Sequence, residues 1–198
     1  MSGIVGSKLN IRGSGLVGSL GTDGQHLLSA GAGKTNVFET AAGGGLVLQV
    51  VQTVKTDTFS STSTTFVDVT GLTVAITPAS SSNKVLVMYT IDISEAIGDG
   101  NVTLQLYRGT TAIFQGDAAS NRQRGSNQTG PSGTEHSVQN FSGMYLDSPS
   151  STSELTYKFQ LHVKNTSATF RVGGDTGYND DANRSTTPSQ ITVMEISG

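Results

Sequence analysis

The sequence predicts an all-β protein, a jelly-roll-like β-sandwich preceded by an extended, glycine-rich N-terminal arm. Three observations lead to this fold class. Charged residues make up only 14% of the 198 residues, while Gly alone contributes 25. Short segments rich in Val and Thr recur from about residue 46 onward, as is typical of strands on a pleated surface. No segment keeps the 3.6-residue apolar period of a helix.

The first 45 residues have a composition of their own. Apolar residues occur singly or in pairs between glycines, as in GSGLVGSLGTDG (13–24). Glycine loses much conformational entropy on folding and buries no side chain, so this segment cannot form a core alone. We expect residues 1–45 to be an arm that becomes ordered against sister subunits or a larger assembly.

Residues 46–198 are predicted to form the sandwich, with roughly eight to ten strands. The clearest strand, ELTYKFQLHV (154–163), points Lys158, Gln160 and His162 outward. Its inward residues are Leu155, Tyr157, Phe159, Leu161 and Val163. Eight strands at this length favour a jelly roll among sandwich topologies. The predicted strands lie in 46–55, 56–69, 72–77, 84–93, 101–108, 111–116, 136–146, 154–163, 167–172 and 191–196, with a two-residue hairpin turn starting at Gly109.

Composition also excludes several classes of function. The net charge is −3 and there is no basic run, so nucleic-acid binding has no electrostatic support. Cysteine is absent, which removes disulfides, thiolate metal sites and thiol catalysis. No apolar window approaches the ~18 residues of a membrane span, and no signal-peptide core begins the chain. We therefore expect a protein without membrane insertion, assembled in a cytoplasm.

The stretch SAGAGKT (29–35) resembles the end of a phosphate-binding loop. That motif needs a leading glycine where this chain has Leu28, a buried strand before it and a helix after it. None of the three is present in the sequence pattern. We therefore predict no nucleotide binding, and no loss of it in Lys34→Ala.

Catalytic and metal-binding patterns are equally weak, so the sequence predicts no enzyme, no cofactor and no metal. The histidines His26, His136 and His162 lack metal-ligand spacing, and no nucleophile-elbow motif occurs. Several carboxylates are placed at predicted strand ends, where they would solvate turns: Asp57, Asp68, Asp92 and Glu95.

Two long polar loops, 116–135 and 173–189, are the candidate contact surfaces, because long loops in compact domains tend to be functional or disordered. The candidate residues for contact with a sugar or polar receptor are Arg122, Arg124, Tyr178, Asn179, Asp180 and Asp181. Asp175 joins the acidic set of the second loop. That loop lacks the glycine and final Glu of the helix–loop–helix calcium signature, so a solvated loop is favoured and a calcium site is the alternative.

The arm resembles an element of tail-fibre and other appendage proteins of tailed bacteriophages, particularly marine ones. The resemblance rests on GSLGTDGQHLLSAGAGKTNVFE (18–39), on the strand entry LVLQVVQTVKTDTFSSTSTTF (46–66) and on the terminal ITVMEI (191–196). The matching arm positions are Gly21, Gly24, Gln25, Leu27, Ser29, Gly31 and Gly33. Lys34 departs from the small residue that is more frequent there.

The resemblance implies a non-enzymatic virion protein, a short homotrimeric tail fibre. Its arm would dock onto other virion proteins, a tail adaptor, nozzle or capsid, with Lys34 as a contact at that junction. Its β-domain would contact a host surface glycan or receptor. The alternatives are a capsid decoration or head-fibre protein and, in a different class, a carbohydrate-active depolymerase.

Overall fold

A computed structural model describes residues 10–11, 15–16, 25–28, 37–40, 45–97, 100–129, 137–175, 182 and 184–198. The chain forms two compact units, Met1–Gly45 and Leu46–Gly198. The strands are β1 (Asn10–Ile11), β2 (Gly15–Leu16), β3 (Gln25–Leu28), β4 (Val37–Thr40), β5 (Val47–Lys55), β6 (Phe59–Ser61), β7 (Val67–Ile76), β8 (Lys84–Ile97), β9 (Val102–Arg108), β10 (Thr111–Ile113), β11 (Asn127–Thr129), β12 (Val138–Asp147), β13 (Leu155–Val163), β14 (Thr169–Val172) and β15 (Ser189–Ile196).

The described residues of the N-terminal unit form two small antiparallel pairs. Strand β1 pairs with β2, and β3 pairs with β4 in the register Leu27↔Phe38. The sequence did not predict these pairs, because strands of two to four residues are too short to show a period-2 pattern.

The larger unit is built from two antiparallel sheets, named here after their central strands. The β9 sheet has the order β10-β9-β13-β7, with β11 also pairing with β9. The β8 sheet has the order β5-β15-β8-β14-β6, with β12 also pairing with β8. Strands β12 and β15 both pair with residues 85–90 of β8, so they lie on its opposite edges.

This strand order is that of a jelly roll. The eight main strands in chain order are β5, β7, β8, β9, β10, β12, β13 and β15. In one sheet the first, eighth, third and sixth are neighbours (β5-β15-β8-β12), and in the other the second, seventh, fourth and fifth (β7-β13-β9-β10). Two interlocked Greek keys give this order. The predicted fold class is confirmed.

The core lies between the sheets and is formed by the residues that the alternation places inward. In β8 these are Val85, Val87, Tyr89, Ile91 and Ile93, each at most 3% exposed. Tyr157, Phe159, Leu161 and Val163 of β13 are fully buried, and Leu155 packs partly against them. The predicted inward and outward faces of β13 are therefore confirmed, as is the Gly109–Thr110 turn, with φ of 58° at Gly109.

Polar contacts join the two sheets along the side where β12 faces β10 and β11. The carboxylate of Asp147 accepts hydrogen bonds from Arg108 Nη1 at 2.6 Å and from Tyr157 Oη at 2.7 Å. Burial, together with this bond to Asp147, raises the pKa of Tyr157, so the phenol stays a donor. Asn127 of the β9 sheet accepts a hydrogen bond from the hydroxyl of Tyr89 of the β8 sheet. Asp147 thus fixes β12 against β9 and β13.

The sandwich has two distinct ends. At the end called proximal here, Leu46 enters β5 and bonds to Ser197, close to the turn before Lys84 and the Gly109–Thr110 turn. The distal end holds the 164–168 turn, and the loop after β14 starts beside Asp92, in the distal half of β8. Strand β8, with 14 residues, spans from one end to the other, about 45 Å at ~3.3 Å per residue. Within the described ranges, no helix is long and apolar enough to cross a bilayer.

Candidate functional site

The segment 114–126, called the β10–β11 loop here, folds back over the outer face of the β9 sheet. Its two ends meet where Gly116 N donates to the carbonyl of Gly125 at 3.4 Å. Arg124 Nε donates to the carbonyl of Gly116 at 2.6 Å, and Ser126 N donates to Leu104 O at 2.8 Å. The loop is thereby closed on itself and fastened to β9.

Two local features explain how the loop approaches the sheet so closely. Gly125 has no side chain where a Cβ atom would overlap Thr103 Cγ2, so no larger residue fits without moving the loop. Phe114 has a φ of 50°, which is strained for a bulky residue. Its ring stacks on Tyr145 of β12 with centroids 5.1 Å apart, and Ser126 Oγ donates to its carbonyl at 2.7 Å. These contacts hold the strained conformation.

The loop encloses a cleft of about 260 Å³. Its lining includes Thr103, Asp117, Arg122, Arg124 and Gln128. Both predicted contact residues of this loop, Arg122 and Arg124, are exposed at the cleft. The site therefore offers two guanidinium groups, one carboxylate and several amide and carbonyl groups, which suits a polar ligand better than an apolar one.

A buried amide lies beneath the loop. Gln105 is 1% exposed, and its Nε2 donates to the carbonyls of Ile113 at 2.6 Å and Leu106 at 2.8 Å. Its Oε1 finds no donor among the described residues. Because these two Nε2 partners are carbonyls, the amide cannot be turned over to satisfy its oxygen. Gln105 supports the loop from below and was not a sequence candidate, since it stands at an outward position of β9.

The loop between β14 and β15 is anchored by an ion pair at its base. Arg184 Nη1 lies 2.7 Å from Asp175 Oδ2, and Arg171 Nη1 donates to the backbone carbonyl of Asp175 at 2.8 Å. The backbone is fixed further by the Gly174↔Thr186 bridge and by Ser94 Oγ, which donates to Gly174 O at 2.6 Å. The predicted contact residues Tyr178, Asn179, Asp180 and Asp181 lie outside the described residues.

No group of three or more metal-ligating side chains occurs in the part of the chain that the structure describes. Asp175 is held by an arginine, whose charge competes with a cation for the carboxylate. The calcium alternative at Asn179, Asp180 and Asp181 stays an expectation of the sequence, because those residues are not among the described ones.

The prediction that the other carboxylates lie at strand ends is wrong for Asp92, which lies in the middle of β8, whereas Asp68 is the second residue of β7. Asp68 accepts from Lys158 Nζ at 2.8 Å and Gln160 Nε2 at 2.7 Å, and Asp92 accepts from Asn140 Nδ2 at 2.5 Å. The hydrogen bond from Lys158 lowers the pKa of Asp68. Donors on the neighbouring strand make both positions favourable for a carboxylate.

In the N-terminal unit, Gln25 and Leu27 are the described members of the predicted docking set. Both lie on β3, opposite Thr40 and Phe38, and Leu27 is 45% exposed. The other members of that set, and the motif 29–35, lie outside the described residues: Gly21, Gly24, Ser29, Gly31, Gly33 and Lys34.

The outer face of the β8 sheet carries a surface that the sequence analysis did not identify, called the apolar face here. Directly paired residues form one row across four strands: Val50, Met194, Leu86 and Leu146. The next row is Gln52, Thr192, Met88 and Met144. Val50 is 55% exposed and Met144 is 67% exposed. The signal for this face was the nearly continuous apolar run 46–51, because a strand that is apolar on both faces has one apolar side turned away from the core.

No protein-family model matches the chain, and no curated protein matches it. Among solved structures it is similar to that of infectious bursal disease virus Gx strain, with 11% identity, a TM-score of 0.40, and coverage of 87% of this chain and 45% of that chain. It is also similar to the VP2 subviral particle of infectious bursal disease virus, with 10% identity, a TM-score of 0.27, and coverage of 87% and 44%. The chain thus spans less than half the length of these proteins. Likeness at these scores supports no functional conclusion, and the fold rests on the strand order above.

Proposed function

We propose that the chain is a non-enzymatic structural protein of a bacteriophage virion, specifically a short homotrimeric tail fibre. Residues 1–45 attach it to other virion proteins, and residues 46–198 form a head that contacts the host surface. The protein resides in the virion after assembly in the host cytoplasm.

The polarity of the head is the observation that carries this proposal. The chain enters the sandwich at the proximal end, where Leu46 bonds to Ser197. The loop base at Gly173–Asp175 lies beyond β14, which pairs with the far half of β8. An attachment segment at one end and a long polar loop in the far half are what an adhesive appendage requires.

The N-terminal element supports the virion part of the proposal. The positions Gly21, Gly24, Gln25, Leu27, Ser29, Gly31 and Gly33 match the appendage-protein element, and a chain segment this rich in glycine buries little surface by itself. Docking against other virion proteins and sister chains provides the contacts it lacks.

The chemistry of the β10–β11 loop supports a polar receptor such as a surface glycan. Arg122, Arg124 and Asp117 provide charged hydrogen-bonding groups at the edge of the cleft. A single exposed site of this kind binds weakly. Three copies on one fibre, and several fibres on one particle, raise the overall affinity through effective concentration.

Protein quantification in purified particles tests the proposal. We expect the chain to co-purify with infectious virions in tens of copies or fewer. Hundreds of copies would assign it instead to the capsid, as a decoration or head-fibre protein. Its absence from particles would overturn the virion proposal altogether.

The depolymerase alternative has a separate test. We expect the purified protein to bind host surface glycan without shortening it, with Asp180→Asn and Asp181→Asn unchanged in this respect. Glycan cleavage that either substitution abolishes would contradict the non-enzymatic proposal.

A further inference from the structure

The apolar face of the β8 sheet lacks a partner among the described residues of the head. Its row Val50–Met194–Leu86–Leu146 crosses four strands, about 15 Å at ~4.8 Å between strands. Strand β5 lies at one edge, and among the described strands it pairs only with β15. The chain that leads into Val50 adds further exposed apolar residues at this edge, namely Leu46, Val47 and Leu48. An edge strand of this kind is normally covered or charged in a soluble protein.

The apolar face offers enough exposed apolar residues for the centre of a subunit interface. Seven large apolar residues at the face or at its edge are 47–67% exposed: Leu46, Val47, Leu48, Val50, Val54, Met144 and Leu146. A standard interface takes ~800 Å² from each partner, and its fully buried centre is its most apolar part.

Charge and shape point to a second copy of this chain as the occupant. The two rows of the face contain no charged side chain, and the exposed Lys84 lies at its proximal border, in the row of Val47 and Ile196. Two copies that meet along the two rows therefore bring no like charges together there. Glu195, the acidic residue of β15, points inward and is 1% exposed. A partner chosen by complementary charge would need charged groups that these rows do not offer.

The face also carries both a ridge and a hollow. The row with Val50 and Leu146 is the ridge, and beside it lies a depression of about 370 Å³ lined by Met88, Met144, Thr192 and Ser142 among others. Gln52 Nε2 donates to Thr192 Oγ1 at 3.0 Å, which satisfies the hydroxyl on the floor of the hollow. Flexible methionines at its rim can adapt to an inserted side chain.

We propose that the apolar face is the surface through which copies of this chain associate, the ridge of one copy entering the hollow of the next. This inference rests on the proposed function, because it identifies the head interface of the homotrimer. The face is then buried in the fibre, and the β10–β11 loop, on the opposite sheet, faces outward.

Charge substitutions on the face test the proposal in the full chain. Met144→Asp and Val50→Asp place a carboxylate at exposed positions, so the fold of each head is retained. We expect wild type to have the mass of a trimer and both variants to shift at least ~10-fold toward monomer at the same concentration. Ala75→Asp, at an exposed position of β7 in the other sheet, is the matched control and stays a trimer. Unchanged far-UV circular dichroism of the variants identifies dissociation rather than unfolding.

Thiol protection gives a second readout that does not perturb the interface. The chain has no cysteine, so Met144→Cys and Ala75→Cys each introduce a unique thiol. In the assembled protein we expect the first to react with a maleimide at least ~10-fold more slowly than the second, because only exposed thiols react readily. Equal reactivity in a trimeric protein would mean that the trimer forms elsewhere, and would overturn the proposal. Slow reaction of the Met144→Cys thiol in a monomeric protein would also overturn the proposal, because residues 1–45 of the same chain would then cover the apolar face.

The outcomes separate this inference from the proposed function. If the wild-type protein is a monomer but is found in virions, the proposed interface is wrong and the proposed virion role still holds. If Met144→Asp disrupts a trimer but the protein is absent from virions, the proposed interface still holds and the proposed virion role is wrong.

Discussion

At the scale of single residues, Glu195 shows how this protein accommodates a carboxylate in its core. The residue is 1% exposed at the proximal end of β15. Its Oε1 accepts from Asn83 Nδ2 at 2.5 Å and Ala79 N at 2.7 Å, and its Oε2 accepts from Gln49 Nε2 at 2.5 Å. Burial alone raises the pKa of Glu195, but these three donors outweigh it and hold the pKa below the ordinary 4.5.

We predict that Glu195 makes the head sensitive to acid. The pKa of Glu195 is lower in the folded state than in the unfolded state. Its contribution to the free energy of unfolding is therefore fully present above about pH 4.5 and is lost as the pH falls through the lowered folded-state pKa. Glu195→Gln should lower the free energy of unfolding at pH 7 by about 1–3 kcal/mol, because one of the donors then faces an NH₂ group. Chemical unfolding measured from pH 7 to pH 3 should show a smaller acid-induced loss in this variant than in wild type.

Glu154→Gln is the control, because Glu154 is exposed and the substitution is chemically identical. It should leave the unfolding free energy at pH 7 within about 0.5 kcal/mol of wild type. An acid profile of Glu195→Gln that superimposes on the wild-type profile would contradict the assignment.

The alternation in ITVMEI places Glu195 on the same face as Ile191 and Val193, so its inward direction was available from the sequence. The hydrogen-bond donors to its carboxylate could not be predicted from the sequence. Asn83 and Ala79 lie 112 and 116 positions earlier in the chain, and only the pairing of β15 with the start of β8 brings them to the carboxylate. Pairwise polar contacts of this range depend on the fold as a whole.

At the scale of elements, β12 depends on the absence of a side chain at Gly143. A Cβ atom there would lie 2.6 Å from Tyr89 Oη and 2.8 Å from Tyr89 Cζ. The Tyr89 ring also packs on Phe159, with centroids 4.6 Å apart, so it has little room to move. Gly143 therefore lets the edge strand lie flat over this aromatic contact of the core.

We predict that Gly143→Ala lowers the free energy of unfolding by about 1–3 kcal/mol through overpacking. Thermal unfolding at fixed protein concentration measures the effect. Gly116→Ala is the matched control, since a Cβ atom there meets nothing within 4 Å, and it should be close to neutral.

Tyr89→Phe removes the nearest clashing atom, so the double variant should be destabilised less than the two single effects added together. Strict additivity, or a neutral Gly143→Ala, would contradict this account of β12.

The strands themselves were the most predictable elements, because β8, β9 and β13 each place a run of alternating apolar residues on one face. The Gly109–Thr110 turn was predictable from its glycine. The strand order was not, because β5 pairs with β15 and β7 with β13 across most of the chain. The position of the β10–β11 loop on the β9 sheet could not be predicted either, because it depends on the fit of Gly125 against Thr103.

At the scale of the whole molecule, the jelly-roll head separates three surfaces. The proximal end receives the chain from residue 45, the β8 sheet carries the apolar face, and the β10–β11 loop covers the β9 sheet. The attachment, association of copies and receptor contact proposed above can therefore each use a different surface. Two of the charged loop residues predicted from the sequence, Arg122 and Arg124, lie at a cleft. The apolar face became evident only from the pairing of four strands.

Imaging of labelled particles tests the central claim, that the head is a virion appendage with its proximal end toward the particle. Lys164→Cys in the distal turn and Thr152→Cys in the proximal connection each provide one exposed thiol for a gold label. Strand β13, with 9 residues, separates the two positions by about 30 Å at ~3.3 Å per residue. We predict that the Lys164→Cys label lies farther from the particle than the Thr152→Cys label by about that distance. Labels at equal distance, the reverse order, or particles that carry neither label would contradict the claim.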